Sequence, residues 1–411
     1  MLLFPIKFLY EIIVVPVREY FFMTSKERKE ERYQKRKEQR LQKMRQMNGV
    51  HDNFDWVFSW EHLYRSSKQC EKGVRWKPSV QKFEAFNCLN VTRICNELQN
   101  GTYHSDGFAE FQIFERGKLR NITSVTIKER VVQKCLCDYC LLPILKKRLI
   151  YDNSACLKNR GYSFAIKRVT KFMTSHYKKY GTEGFALCCD YHDYFGSIPH
   201  KVAKDILKRY ISDKRILKLS FHFIDCFKGD VGLGLGSQIS QILALIAINN
   251  IDHYIKEKLR IKFYERYNDD LLIIHHSKKF LESVLKELKI LSKQIGLELH
   301  PTKTKIVRLR HGFHFIKCRF FYGKNGRVIK KMMHKRHAYA IKKLRKLYNN
   351  ERIKVNQLAN SFQSVKGYYI NFNEYYRLKR YEYHFFKNYG YDKFFYDARY
   401  YGEKVKADGK S

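Results

Sequence analysis

The spacing of hydrophobic residues changes period several times along the chain. Residues 25 to 47, SKERKEERYQKRKEQRLQKMRQM, carry charge on every turn. That pattern predicts an exposed helix with Glu–Lys pairs, or an arm that binds nucleic acid. From Phe54 to Asn100 the apolar residues recur at helical spacing, with Trp56, Trp60 and Phe83 expected on the buried face. The period then falls to two: FAEFQIF, the turn ERGK and LRNITSV predict a β-hairpin. IKERVVQKCLCDYCLLPIL returns to a helix, and GFALCCD (184 to 190) reads as a short buried strand ending on Asp190.

HKVAKDILKRYI and RILKLSFHFIDCF predict helices, and GLGLGSQISQILALIAINNIDHYIKEKL predicts a Gly-rich loop feeding one long helix. Two strand-like runs then flank the Asn-Asp turn signal of ERYNDDLLII, which predicts a hairpin with Asp269 and Asp270 at its tip. A helix follows from Lys279 to Ile295, then GLELHPTKTKIVRL, then a second hairpin, GFHFIKCRFFYGKNGRVIKK, turning at Gly323 to Gly326. From about residue 331 the chain is basic, helical and rich in tyrosine. It has no internal repeat and no low-complexity linker, and with only 6 prolines it reads as one multi-lobed body.

Composition narrows the function. A hydrophobic share of 44% in 411 residues excludes a disordered chain. The 81 Lys+Arg against 40 Asp+Glu leave a formal charge of +41, which calls for a polyanionic partner. Nucleic acid is the first candidate and a membrane surface the second. The 30 Tyr and 30 Phe suit base stacking among the cations, and serve equally to fill cores. The 11 cysteines do not form a disulfide pattern; Cys188 and Cys189 read as small buried hydrophobes. Cys135, Cys137 and Cys140 lack a matching Cys/His pair at finger spacing, which argues against zinc. A reducing, cytoplasmic compartment fits this cysteine usage. Residues 1–22 are apolar, but Lys7, Glu11, Arg18 and Glu19 interrupt them and Pro5 and Pro16 break them. They predict an amphipathic or partner-binding segment in place of a spanning helix, with membrane contact left as an open alternative.

Two adjacent carboxylates repel, and each raises the other's pKa. A divalent cation relieves that repulsion, and Asp190, closing another apolar strand, is the natural third ligand. Three carboxylates on two neighbouring strands make an oxygen-rich site for Mg²⁺, and a pair of such ions suits phosphoryl transfer. Taken alone, a solvated turn that happens to carry two aspartates is the better explanation, because such pairs are common in turns.

The surrounding residues resemble the reverse transcriptase family. YNDD (267 to 270) matches its Y-x-D-D box, and DYHDYFGSIPH (190 to 200) matches its first palm box. LGSQISQ (235 to 241) matches the LGxxxSQ element, and LELHPTKTKI and HGFHFIKCRF look like the next two boxes. With FQIFERGKLRNI and IKERVVQ, the resemblance covers most of residues 100 to 325. The LGxxxSQ form resembles enzymes of diversity-generating retroelements and phage-defence relatives, whereas many group II intron and retroviral members carry Gln at the position of Leu235 and Pro near Gln241. Asn268 and His300 also depart from the commoner residues.

The resemblance implies an α+β fold of right-hand polymerase architecture. Its expected parts are an N-terminal arm (1–48), fingers (49–180), a palm with an antiparallel sheet and packed helices (181–310), a primer-grip hairpin (311–327) and a basic helical thumb (328–411). It implies that Asp190, Asp269 and Asp270 hold two Mg²⁺ ions, with Mn²⁺ as a substitute, helped by the carbonyl of Tyr191. Phe195 is expected to be the steric gate against the 2′-hydroxyl, and Lys118 and Arg120 to clamp the triphosphate. Gly236, Ser240 and Gln241 are expected to line the templating region, and Lys303 to protonate the leaving pyrophosphate. The implied activity is RNA-directed synthesis of cDNA from dNTPs on a dedicated non-coding or retroelement RNA, in the cytoplasm of a bacterial or phage-infected cell. A protein partner or an oligomer is compatible with it. The alternatives are a catalytically impaired RNA-binding module of the same fold, or an enzyme of the group II intron or retron kind.

Overall fold

The computed structural model describes residues 24–115, 118–332, 334–352 and 355–389. Residues 1–22, expected to contact a membrane or partner, lie outside the described residues, as do residues 116–117 in the first hairpin's turn and the end of the expected thumb from residue 390.

The N-terminal part is helical: α1 (Ser25–Gln46), α2 (Trp60–Cys70), α3 (Pro78–Ala85) and α4 (Asn87–Gln99). Strands β1 (Phe108–Glu115) and β2 (Lys118–Val125) precede α5 (Ile127–Leu136), α6 (Tyr162–Tyr180) and β3 (Phe185–Cys189). Then come α7 (His200–Tyr210), α8 (Lys214–Asp225), α9 (Gln238–Ala247) and α10 (Asn249–His253). Strands β4 (Tyr264–Tyr267) and β5 (Asp270–His275), helix α11 (Lys278–Gln294) and β6 (Lys305–Arg308) follow. Strands β7 (Phe313–Phe315), β8 (Cys318–Tyr322) and β9 (Val328–Met332) lead into α12 (His334–Asn349), α13 (Val355–Tyr369) and α14 (Tyr375–Tyr389). This is the expected α+β class, and every named strand pair is antiparallel. Among the described residues no helix is long and apolar enough to cross a membrane.

The chain divides into two compact units, Met1–Arg148 with His200–Ile242, and Leu149–Pro199 with Leu243–Ser411. Residues 200–242, expected with the palm, therefore group with the N-terminal unit, and α6, expected with the fingers, groups with the unit that holds the central sheet. In the first unit the β1–β2 ribbon pairs in continuous register from Phe108–Val125 to Glu115–Lys118. Phe83 is buried as expected, but Trp60 is 41% exposed. Its ring stacks on Tyr64 and its indole N–H donates to Thr92, so it covers the helix surface from outside.

The second unit is built on a four-stranded sheet of order β4-β5-β3-β6. Alternate residues of β3 and β5 face opposite sides. Ala186, Cys188, Leu272 and Ile274 join Ala165, Val169, Phe172 and Met173 of α6 in one buried cluster, which explains why a helix that the sequence pattern did not single out is required here. The same cluster takes in Phe313, Phe315 and Phe320 of the three-stranded sheet β7-β8-β9. The turn at Gly323 to Gly326 falls where expected, but β7 adds a third strand through a turn at Ile316 and Lys317, both at positive φ (43° and 63°). The single long helix expected after the Gly-rich loop is broken into α9 and α10 at Ile248. The carbonyls of Ala244 and Leu245 are taken by the side chains of Tyr194 and Arg266, which interrupts the helical ladder there.

Candidate active site

Strand pairing delivers the three aspartates. Cys189 of β3 lies opposite Leu271 of β5, so the next residue, Asp190, falls beside Asp270. Tyr267 pairs with Asp270, leaving only Asn268 and Asp269 in the turn. The acidic pair is thus split, with Asp269 in the turn and Asp270 opening β5. Asn268 takes the positive φ (53°) that the turn demands, which asparagine tolerates better than most residues. The Asp190 carbonyl accepts from the His300 N–H at 2.7 Å, and the Glu298 carbonyl from the His192 N–H at 2.8 Å, which fixes the segment before β6 against the end of β3. On that segment the Lys303 ammonium pairs with Asp190 Oδ2.

The electrostatics match three like charges in a half-enclosed place. Burial pushes the Asp269 carboxyl up to about 6, and the charge of Asp190 and a hydrogen bond with it add to the shift. Burial, then the charges of Asp269 and Asp190, push Asp270 up to about 7, against the pull of Lys303 and Lys317. Among the described residues no group of three or more His, Cys, Asp or Glu side chains converges as a finished metal cage. One Asp190 oxygen is instead held by an ammonium. A purely carboxylate donor set, in which burial and neighbouring negative charge raise Asp269 and Asp270, is nonetheless the chemistry that a hard divalent cation satisfies, so the residues fit Mg²⁺.

The hairpin is braced from inside by a group that the sequence reading passed over. Arg266 is fully buried; its guanidinium donates to Asp252 Oδ2 (2.8 Å), the Leu245 carbonyl (2.7 Å) and the Asn268 carbonyl in the turn (3.2 Å). The Tyr264 hydroxyl donates to Asp252 Oδ1 at 2.6 Å. Burial pushes the Asp252 carboxyl up against the pull of Arg266. The guanidinium does not deprotonate, so a fixed positive charge stands at hydrogen-bond distance from Asp252. An Arg inside a strand expected to be buried, and an Asp inside an apolar helix, were the available signals. On the outer side of β4, the Arg266 N–H donates to the Asp152 carbonyl and the Ser154 N–H to the Arg266 carbonyl, both at 2.9 Å.

The other expected site residues fall as follows. The Tyr191 ring is buried and its hydroxyl meets Ser292 Oγ at 3.1 Å, so only its backbone is free to face the aspartates. Phe195 is half-buried in a short helical turn, edge-on to Tyr194 at 5.9 Å. Lys118 and Arg120 lie on β2, opposite Glu115 and Ile113. Gly236 has φ +116°, and a Cβ there would stand 2.8 Å from the Thr123 carbonyl; the glycine is required by close approach to β2. The Thr123 N–H donates to the Leu235 carbonyl at 2.8 Å, tying this loop to the ribbon. Ser240 is fully buried, so in this conformation its hydroxyl contacts protein, and Gln241, exposed, is the side chain of the trio that reaches the surface. Lys317, in the β7–β8 turn, acts electrostatically on Asp270 and was missed from sequence.

A family model described as reverse transcriptase (RNA-dependent DNA polymerase) matches residues 111–320. The chain belongs to the reverse transcriptase family. All three aspartates and Lys303 lie inside the stretch that matches this family. Protein YkfC of Escherichia coli (strain K12) is 25% identical over 241 residues, which cover 49% of this chain and 62% of that protein. The chain thus matches less than two thirds of that relative's length. Among solved structures, apo telomerase from Candida tropicalis, truncated from the C-terminal domain, aligns with a TM-score of 0.42 at 16% identity over 55% of each chain. Telomerase from Candida albicans, in complex with a TWJ fragment of telomeric RNA, aligns with a TM-score of 0.40 at 14% identity, over 53% of this chain and 45% of that one.

Proposed function

We propose that this protein is an RNA-directed DNA polymerase that copies an RNA template into cDNA. The observation that carries the reading is the strand register that sets Asp190 beside Asp270, next to Asp269, with Lys303 on Asp190, within a reverse transcriptase domain. In this reading the three carboxylates, with the Tyr191 carbonyl, hold Mg²⁺ (or Mn²⁺). When bound, the metal pair lowers the pKa of the primer 3′-hydroxyl and stabilises charge on the leaving oxygen. Lys303 Nζ supplies a proton to the departing pyrophosphate. Lys118 and Arg120 orient the triphosphate, and Phe195 fills the space that a 2′-hydroxyl would need. The basic helical region from residue 328 holds template and product by their phosphates. The biological setting within this proposal is a diversity-generating retroelement or an anti-phage defence system in a bacterial cytoplasm, supported by the LGSQISQ form.

Primer extension on poly(rA)/oligo(dT) with Mg²⁺ tests the chemistry. Asp269→Asn is expected to lower the rate by about 10³ or more, since one of the groups stabilising transition-state charge is lost. Extension by the variant at the wild-type rate sinks the assignment. Phe195→Ala is expected to let ribonucleotides in, read as a fall in the dNTP-over-NTP ratio of kcat/KM. Sequencing the nucleic acid that co-purifies with the protein decides which RNA is copied.

A further inference from the structure

Helix α1 carries ten basic and four acidic residues, and one side of it is free of acid. Lys29, Arg32, Arg36, Arg40 and Lys43 recur at steps of three and four, which aligns them on one stripe roughly 21 Å long at about 1.5 Å per residue. Glu27, Glu30, Glu31 and Glu38 fall on the other half of the helix. One of them, Glu30, is bonded to Gln34. A solvated charged helix normally pairs its charges at i,i+4. Here Lys29, Arg32, Arg36 and Arg40 have no carboxylate partner among the described residues. Arg209 of α7 joins the stripe from a second element, closing a groove of about 680 Å³. The helix is fixed at its C-terminal end, where Arg45 donates to the Lys208 carbonyl at 2.6 Å, while its described side chains from Glu27 to Arg40 are exposed.

We infer that this stripe, with Arg209, is a docking surface for the phosphate backbone of an RNA stem, separate from the template and primer contacts of the catalytic domain. The inference rests on the reading that the chain works on RNA. Charge complementarity favours a polyanion. The face offers only one exposed aromatic ring, Tyr33, so it lacks the row of stacking platforms that single strands require. Duplex RNA is recognised by shape and phosphate contacts, which a row of cations on a rigid helix can follow. An interfacial membrane helix needs a broad apolar face, and this helix has none; Leu41 and Met44 are isolated beside the stripe.

The test uses the full chain with Lys29, Arg32, Arg36 and Arg40 all changed to Gln, a good helix former. Binding to a 20-base-pair RNA hairpin is measured between 50 and 300 mM salt. The variant is expected to lower the slope of log K against log salt by about 3, and to bind about a hundredfold to a thousandfold more weakly at 100 mM salt. A second variant, Arg32, Arg36 and Arg40 all to Lys, is expected to keep the wild-type slope, and Glu27, Glu30, Glu31 and Glu38 to Gln to keep it or steepen it. Extension of poly(rA)/oligo(dT), measured in parallel, is expected to be the same for wild type and the four-Gln variant. Failure of that assay in wild type strikes the polymerase reading alone, because hairpin binding needs no catalysis. An unchanged salt slope in the four-Gln variant, or a loss confined to vesicles of anionic phospholipid, overturns the docking surface.

Discussion

Tyr264, Glu265 and Arg266 of the β4–β5 hairpin are all buried although their side chains alternate between two faces, whereas the β1–β2 ribbon leaves Phe111, Ile113, Phe114 and Leu119 exposed. The hairpin is one edge of a four-stranded sheet, and its open side is taken up by residues 152–154. The ribbon is a sheet of two strands, an arrangement that is marginal by itself in water. It is secured near its base: Phe108 stacks on Phe227 at 4.6 Å, Glu110 pairs with Lys228 at 3.0 Å, and Thr123 holds the Leu235 loop. The contrast follows from what each carries. In the proposed function the hairpin's carboxylates share a cation, which demands placement to a fraction of an ångström, and their hairpin is locked by an internal ion pair. In that same reading the ribbon's cations need only reach a triphosphate, and an exposed ribbon suffices.

The strongest way to break this contrast is at Arg266. Arg266→Ala leaves Asp252 buried without its partner and strips the donor from the Asn268 carbonyl. A loss of about 3–5 kcal/mol in unfolding free energy is expected, with polymerisation lost as well. The double variant Arg266→Met, Asp252→Leu is expected to regain most of the stability but not the activity, because the turn holding Asp269 stays unbraced. Denaturant melts beside primer extension check both. Recovery of activity in the double variant would mean the ion pair only stabilises. On the ribbon the opposite split is expected. If Arg120 clamps the triphosphate as proposed, Arg120→Ala removes a charged hydrogen bond worth about 1.5–3 kcal/mol, so KM for dNTP should rise about tenfold to a hundredfold while the melting temperature stays put. A fall in melting temperature comparable to that of Arg266→Ala would erase the distinction between the two hairpins.

The same contrast explains what could be read from the sequence. The β1–β2 ribbon is local: alternation and a turn signal suffice, and its strands fall where the pattern puts them. The Asn268–Asp269 turn is local too, and the box spacing around Asp190 carried the rest of the triad. Long-range features were lost. Helix α6 exists because the sheet needs a partner on one face, and the break between α9 and α10 exists because Arg266 and Tyr194 take its carbonyls. Neither cause lies within a window of neighbouring residues. Gly236, expected to line the templating region, lies against the backbone of β2, more than a hundred positions earlier. Lys317 drew no notice because its bearing on Asp270 depends on how the three-stranded sheet folds.

The mildest test concerns Glu265, on the opposite face of β4 from Arg266. It is fully buried; the Ser154 hydroxyl donates to one of its oxygens and the other has no partner. Burial pushes its carboxyl up to about 9 from the ordinary 4.5, the Ser154 bond pulling slightly the other way. Below pH 4.5 folded and unfolded chains both hold this proton, and its linkage is neutral. Between pH 4.5 and 9 the unfolded chain releases it while the folded chain keeps it, so stability falls as pH rises. Above pH 9 both are ionised and the loss is complete. Glu265→Gln keeps an acceptor for Ser154 and removes the titration. The variant should therefore match wild type near pH 4.5 and melt a few degrees higher at pH 8, the gap opening steadily between. Parallel melting curves across that range would mean that Glu265 is ionised in the folded state, with Arg168 and Lys256 supplying its counter-charge, and that the hairpin carries a second internal ion pair on its other face.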